Sequence, residues 1–442
     1  MAGLAGCASY QALPLPQRTD LATSLTGLDA SVPAAGAGYA NRRLDIERPL
    51  TIDQIGVLAI LNDPDLKSER GTIDVARAGL VQATLLPNPV ANASYGALIS
   101  GPGTTSSFSA SFSQDIAAIV TQGARVESAE AHLYQVDADQ LWREWQVAQK
   151  ARQLALDIYS ADISVRLTRR EQQLLSQELE QVRKAIAAGN LTLAALAPLA
   201  AAAAAAEQSL VTLRLGQLKN WQALDGLLGL DPSVRFAIAR PILEPVPSDI
   251  ASLIADLPER RPDLAALRLG YRSAEEDVRA AILGQFPALT LGSSYSKDTS
   301  DIVTAGPAFT FALPVFDRNQ GQIAKTLASR LLLRAQFQAS LDRAVANTRA
   351  LVAQIDQLSA DLAVARRAAA AARSLAATAR QAYSQNNLDQ RTLTDYETTA
   401  LERALQVVAI ERQINEDKIF LEVELGLGLP RTRIALGERA PL

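Results

Sequence analysis

The residues able to do covalent or metal chemistry are few: one cysteine, Cys7, one histidine, His132, and one methionine, at position 1, in 442 residues. Thiolate and imidazole are the donors that zinc, copper and haem sites draw on. No resident metal, no cofactor and no disulfide framework is therefore expected. His132 stands in a helical run beside Leu133 and Tyr134, where a packed or surface place suits it better than a catalytic one. Trp142 and Trp145 read as helix-packing or interfacial aromatics. No Gly-rich phosphate loop, Ser-His-Asp set or metal-ligand spacing occurs, so the chain does not read as an enzyme and no catalytic residue is expected.

What remains is a problem of shape. Hydrophobic residues make up 48% and exclude a disordered chain, while aromatics are only 5% and alanine is plentiful. That balance suits long, closely packed helices. With 43 Lys+Arg against 47 Asp+Glu, the net charge of -4 leaves no electrostatic footprint for a nucleic-acid partner. Cys7 ends the run Leu4-Ala5-Gly6-Cys7, which resembles the lipobox of bacterial lipoproteins, in which the cysteine is acylated and anchors the chain to a membrane. A secretory leader needs a basic segment and an apolar segment before that site. Met1-Ala2-Gly3 supplies neither, so either the start of translation lies upstream or Cys7 is an ordinary cysteine, and the Pro-, Ala- and Gly-rich residues that follow favour the first. Residues 1–50, rich in Pro, Ala and Gly, read as this anchor region and a linker.

The rest of the chain is written twice. Asn62-Asp63-Pro64-Asp65-Leu66 returns as Arg260-Arg261-Pro262-Asp263-Leu264, Leu86-Pro87 as Phe286-Pro287, and Gln122-Gly123 as Gln320-Gly321. Asn190-Leu191 returns as Asn387-Leu388, and Leu228-Gly229-Leu230 as Leu425-Gly426-Leu427. Five anchors in one order at nearly one spacing mark a tandem duplication, with copies at 51–232 and 248–430 and a tail at 431–442. Each copy is expected to hold a helix starting at Pro64 or Pro262 and then a charge-poor segment. A helical stretch near 122–187 or 320–385 follows, then a polar break, then a second helix ending at the Leu-Gly-Leu. At 1.5 Å per residue the longer stretches reach about 100 Å. In the second copy, Leu327, Leu331, Leu341, Val345, Val352, Ile355 and Leu362 resemble a coiled-coil seam. Residues 185–206 carry no charge, but Gly189-Asn190 and Pro198 interrupt them, and they read as a turn and a helix of small residues, not as a membrane span.

Residues 78–114 carry no charged side chain, and neither do 280–296 and 302–316. Prolines at 87, 89, 102, 287, 307 and 314 exclude membrane helices there. Strands are expected instead near 87–99, 105–116, 286–296 and 305–316. Ala91, Ala93, Tyr95, Ala97 and Ile99 alternate with Asn92, Ser94 and Gly96; Phe108, Ala110 and Phe112 alternate with serines; Leu289, Leu291 and Tyr295 alternate with Thr290, Gly292 and Ser294. Phe309, Phe311, Leu313 and Val315 complete the pattern. One apolar and one small polar face is the mark of a membrane-barrel strand. Hairpins covering a soluble helical core would also want one apolar face, but exposed edges in water normally carry Lys or Glu. Four strands cannot close a barrel alone, and open edges are not tolerated in lipid. A homotrimer would supply twelve.

Taken together, the first-copy Asn62-Asp63-Pro64-Asp65-Leu66 and Leu85-Leu86-Pro87-Asn88-Pro89, and the second-copy Arg261-Pro262-Asp263-Leu264, Phe286-Pro287 and Leu313-Pro314-Val315-Phe316-Asp317, make the chain similar to the TolC-like outer-membrane efflux proteins over roughly residues 50–430. The lipobox-like run fits the lipid-anchored members. The resemblance implies a mainly α fold with a small β part: long antiparallel helical hairpins forming a tunnel, and four transmembrane strands per chain closing as a twelve-stranded barrel in a trimer. It implies a passive channel in the outer membrane of a Gram-negative bacterium, contacting lipid, with a periplasmic extension docking a periplasmic adaptor and an inner-membrane pump. It also implies an entrance at the breaks Ala188 to Thr192 and Tyr383 to Asp395, with Tyr383 and Asp395 at gate positions. Thr392 and Leu388 stand where some members carry an acidic residue and an arginine. Three copies of Asp395 around an axis would form a cation-attracting ring; alternatively Asp389 and Asp395 are early-helix residues favoured by the helix dipole. A periplasmic structural or adaptor coiled coil without a channel is the competing reading, against which the four charge-free strands argue.

Overall fold

A computed structural model describes residues 10–32, 42–286 and 289–427. Cys7, Pro287 and the tail 431–442 lie outside the described residues. Two-residue strands β1 (Ser31–Val32) and β2 (Arg42–Arg43) pair near the start. Helices α1 (Ile52–Asn62) and α2 (Pro64–Thr84) then lead into β3 (Val90–Gly96) and β4 (Ser107–Asp115), followed by α3 (Ala117–Ala187) and α4 (Leu196–Leu228). After the short α5 (Ile250–Ala255) and α6 (Leu257–Arg260), the order repeats: α7 (Pro262–Leu283), β5 (Leu289–Lys297), β6 (Val303–Phe311), α8 (Gln320–Ser384) and α9 (Gln390–Glu424).

Local chemistry fixes the helix ends. Thr51 and Gln54 form a reciprocal capping box at the start of α1, and the Asp63 carboxylate accepts the Leu66 N–H at 2.8 Å with Pro64 at the first helical position. Gly229 and Gly426 end the second helix of each copy, both at φ +62°. The N–H of Leu230 donates to Asp225 O and that of Leu427 to Glu422 O, each at 2.8 Å, in the left-handed C-terminal cap that favours glycine. A Cβ on Gly229 would face Asn62 O, and one on Gly426 would press on the backbone of Arg260. The repeated sequence anchors thus lie against each other in both copies.

The four longer strands form one antiparallel sheet in the order β3-β4-β5-β6. Several of its boundaries differ from the sequence expectation. Residues 87–89 and 97–99 lie outside β3, and Leu289, not residue 286, opens the described part of β5. Strand β6 runs from 303 to 311, so Leu313, Pro314 and Val315 fall beyond it. Pro314 has no N–H to give a ladder, and pairing ends at Leu289↔Phe311.

The helices continue the order of the strands. Next to the sheet α2 packs on α3, α3 on α7, and α7 on α8; farther along, α4 packs on α3, α3 on α9, and α9 on α8. The protomer is therefore four elements wide throughout, with β3, α2 and α4 along one margin and β6 and α8 along the other. By length and composition alone α4 could cross a membrane. It lies instead along α3, turning Ala203, Ala206 and Leu210 inward. The seam of α8 runs through Thr326, Ala344, Thr348, Ile355, Ala365 and Ala372, small residues that let the helices approach closely. Leu331, expected in that seam, is 60% exposed. Its neighbour Arg330 bonds Glu275 of α7 at 3.0 Å, so at this end of α8 the contact line has rotated away from Leu331, the drift a straight helix shows against a 3.5-residue repeat.

The main core sits at the waist. Leu50, Ile52, Ile55 and Leu58 pack with Leu156, Ile158, Trp221, Leu224 and Leu228. Two buried arginines cross it. Arg152 of α3 forms an ion pair with Asp53 at 2.8 Å and donates to Glu422 at 2.6 Å, tying α1, α3 and α9 together. Arg261 holds both oxygens of Asp263, at 3.0 and 2.8 Å, pairs with Glu424 at the end of α9, and lies 4.8 Å over the Trp142 ring of α3. Removing one partner of a buried, hydrogen-bonded charge set leaves the others unpaired and costs about 3–5 kcal/mol. Arg261→Ala is expected to destabilise the detergent-solubilised protein by an amount in that range, read from its denaturant midpoint; a shift below about 1 kcal/mol would show that the clamp is not structural.

Candidate functional site

Strand register decides which side chains share a face. Tyr95 pairs with Phe108, Phe108 with Lys297, and Lys297 with Val303; Ala91 pairs with Phe112, Phe112 with Ser293, and Ser293 with Pro307. Because side chains alternate along each strand, Tyr95, Phe108, Phe112, Leu291, Tyr295 and Phe309 lie on one face. Asn92, Ser94, Ser109, Ser111, Ser294 and Thr304 lie on the other. The polar face is knitted by hydroxyls, Ser94 with Ser109 at 2.8 Å and Ser296 with Thr304 at 2.7 Å. The apolar face is open: Tyr95 is 70% exposed and Phe309 65%. Phe108 and Tyr295 meet with ring centroids 6.3 Å apart. An open aromatic and aliphatic face of this extent needs a covering, and lipid is the one that matches its chemistry.

At the opposite end are the two hairpin tips. The first, between α3 and α4, turns at Gly189 with φ +76°, and the second, between α8 and α9, at Asn386 with φ +59°. Asp389 caps α9: its carboxylate accepts the Thr392 N–H at 2.9 Å and the Thr392 hydroxyl at 2.7 Å. These bonds hold its pKa below the usual carboxylate value. Asp389 thus stands at the N-cap of α9, and Thr392, singled out as a departure, is its partner. Asp395 stands further along α9, and Tyr383 is the penultimate residue of α8; both are exposed. Among the described residues no hydrogen bond or ion pair joins Tyr383 to Asp395 within one chain. His132 is exposed in a shallow groove between α2 and α3. No cluster of three or more His, Cys, Asp or Glu able to hold a metal ion occurs among the described residues.

Two acidic residues near this tip escaped the sequence reading. Glu178 of α3 is 5% exposed, and its one hydrogen-bond partner among the described residues is the Thr394 hydroxyl at 3.4 Å. Burial raises its pKa, Thr394 and Arg391 oppose the rise, and Asp395 and Asp389 add to it. Glu397 of α9, also buried, is bonded by Arg380 of α8. The signal was present in the spacing: Leu175, Glu178 and Val182 recur at three and four residues on the inward stripe of α3, with a carboxylate where an aliphatic residue belongs.

A sheet with one open apolar face, carried by helices about 100 Å long, is one protomer's share of an outer-membrane channel and its tunnel. The chain is similar to the TolC-like outer-membrane efflux proteins: residues 253–427 match the family described as "Outer membrane efflux protein", and the first copy repeats the same element order. It is 26% identical over 331 residues to the cobalt-zinc-cadmium resistance protein CzcC of Cupriavidus metallidurans, covering 68% of this chain and 75% of that one. In fold it is similar to a membrane protein from Pseudomonas aeruginosa, with TM-score 0.71 and 18% identity over 97% of this chain and 99% of that one. It is likewise similar to the Campylobacter jejuni CmeC outer membrane channel, with TM-score 0.70 and 14% identity over 91% and 95% of the two chains.

The buried Glu178 carries a pH signature. A carboxyl whose folded pKa is raised favours the fold at acid pH and loses that contribution as pH climbs from the ordinary Glu value through the raised one. Glu178→Gln is therefore expected to melt above the parent protein at pH 8 and level with it at pH 4. Equal melting at both pH values would mean that Glu178 is solvated.

Proposed function

We propose that three copies of this chain close into a twelve-stranded barrel and a continuous helical tunnel, and that the assembly conducts solute passively from the periplasm to the exterior. The observation that carries this reading is the pair of unpartnered margins on a sheet whose apolar face is exposed. Strand β6 of one copy meeting β3 of the next, and α8 meeting α2 and α4, is a head-to-tail contact that closes as a ring. Polar faces then line the lumen and apolar faces meet outer-membrane lipid. A conduit of this kind holds no energy source, so its expected partners are a periplasmic adaptor and an inner-membrane pump at the hairpin tips. No catalytic step is assigned to any residue.

The gate is placed at the α8–α9 tip, with Tyr383 and Asp395 facing the axis and Asp389 fixing the start of α9. Around a threefold axis Asp395 would present three carboxylates to the entrance. The cargo favoured is a divalent metal cation, on the strength of the resistance protein that the chain resembles and of this acidic entrance. Cys7 is proposed as the site of acylation.

Expressed behind a secretory signal and labelled with palmitate, the protein is expected in the outer-membrane fraction, with a native mass of three chains and label at Cys7 that Cys7→Ser removes. A soluble monomer or dimer would overturn the barrel, and an unlabelled trimer would remove only the anchor. In planar bilayers Asp395→Ala is expected to weaken block of the channel by divalent cations several-fold. Unchanged block would take Asp395 out of the gate.

A further inference from the structure

The connection between the two copies crosses the waist as a strap, and a groove runs beneath it. Residues 240–243 roof a hollow of about 530 Å³ floored by α3, α8 and α9, with Tyr159, Ser359 and Asn415 among its polar groups. Its charge is one-sided. Arg240, Arg366, Arg412 and Lys418 line it against Glu411 alone, in a chain whose acids outnumber its bases by 47 to 43. Arg366 is spent on Glu411, to which it donates at 3.2 and 2.7 Å. Arg412 uses one nitrogen, Nη1, on Asp157 at 2.8 Å and Glu416 at 3.0 Å, neither of which lines the groove. Arg240 and the half-buried Lys418 have no acid within ion-pair distance among the described residues. Two unpaired cations beside the free edge of a third form a site for an anion.

In the trimeric tube proposed above, on which this inference rests, the groove opens outward. The strap belongs to a second layer, in which Val234, Phe236, Ile238 and Leu243 join α1 on the core of α3 and α4. Twelve helices about 10 Å apart close a ring of about 19 Å radius, which leaves a lumen of about 14 Å radius once about 5 Å is taken by the helices themselves. A further layer about 10 Å thick on the inside would leave about 4 Å and plug the tube. The strap and its groove therefore face the periplasm.

Their height narrows the choice of ligand. From Gln390 to Lys418 α9 rises about 42 Å, and α7 covers about 33 Å more toward the sheet. A partner confined to the hairpin tips does not reach this level, whereas a column of this length rooted in the outer membrane passes through the wall polymer, a glycan mesh crosslinked by short peptides with free carboxylates. We propose that the groove binds those peptide carboxylates, so that three grooves per trimer moor the tube to the wall. Arg240 and Lys418 take the carboxylates and the free edge of Arg412 adds donors. Ile242, 83% exposed at the rim, gives the peptide's small side chains an apolar contact.

The test mixes the detergent-solubilised full-length protein with purified peptidoglycan sacculi and measures the protein that sediments with them. The protein is expected to sediment, and to be released by about 0.5 M salt, which screens exposed charge pairs. Arg240→Gln/Lys418→Gln should bind at least about five-fold more weakly; because neither residue has an ion-pair partner, the variant should keep its fold and native mass. Sacculi whose carboxylates have been amidated should lose the binding as well. No sedimentation, or undiminished binding by the variant, would overturn the proposal. Binding that survives amidation but is displaced by inorganic phosphate at constant ionic strength would make the site one for phosphate and overturn the wall ligand. The native mass of the same sample separates the two readings: a trimer that fails to sediment removes only the wall site, whereas a monomer removes the tube itself.

Discussion

An amide or carbonyl left unpaired in hydrocarbon costs several kcal/mol, and β3 and β6 each offer a row of such groups along one margin of a sheet whose outer face is aromatic and aliphatic. That single constraint orders the rest of the molecule. A four-stranded sheet of this composition has no stable place in water, where its Tyr95, Phe108 and Phe309 face lies bare, and none in a bilayer until its margins are paired. The same four-element width runs through the helical part, from α2-α3-α7-α8 near the sheet to α4-α3-α9-α8 beyond it. Whatever satisfies the strand margins therefore brings the helix margins together as well.

Passing from a β layer to an α layer of equal width requires a waist that holds its elements in register, and there the chain spends its buried charge. Strands stand about 4.8 Å apart and packed helices 8–10 Å apart, so four elements cannot keep a constant spacing across the junction. The continuous α3 bridges it, with α1 and the end of α9 wedged beside it by Arg152, and the start of α7 fastened by Arg261. Fully desolvated pairs seldom add net stability over apolar packing. Their directional bonds instead fix the rotation and height of each helix, which aliphatic contacts alone leave free. Below the waist small residues take over, Ala365, Ala369, Ala372, Ala376 and Ala379 among the buried ones of α8, and close spacing substitutes for large side chains.

Much of this was legible in the chain because the signals were local or periodic. Pro64 and Pro262 open helices, Gly229 and Gly426 close them, and alternation over Phe108–Phe112 and Leu289–Tyr295 assigns the faces as the register does. Strand ends were less legible: the alternation ran on through Leu313 and Val315, but apolar alternation records side-chain chemistry and not backbone pairing, which Pro314 cannot join. The seam of α8 held at Leu341, Val345, Val352, Ile355 and Leu362, which pack in the core, and was misjudged at Leu331, near which the buried residue is Thr326. Glu178 and Glu397 were passed over for a different reason. A carboxylate in a helix ordinarily marks a solvated face, and only its phase relative to Leu175 and Val182 betrays that it points inward.

The two tips show how a duplicated chain can divide labour without changing its fold. The first, 185–206, carries no charge and turns at a glycine; the second turns at Asn386 and gathers Asp389, Arg391, Asp395 and Glu397 within nine residues. Glu178, from the first hairpin, reaches across to Thr394 of the second, so the polar tip leans on a bare one through a single neutral partner. Only part of this charge serves cohesion: Arg380 bonds Glu397 across α8 and α9, whereas burial raises the Glu178 pKa and the carboxylates of Asp395 and Asp389 add to the rise. A tip built for strength would have carried leucines there. Acidic groups are thus concentrated on one hairpin, set against an uncharged one whose small residues allow close approach.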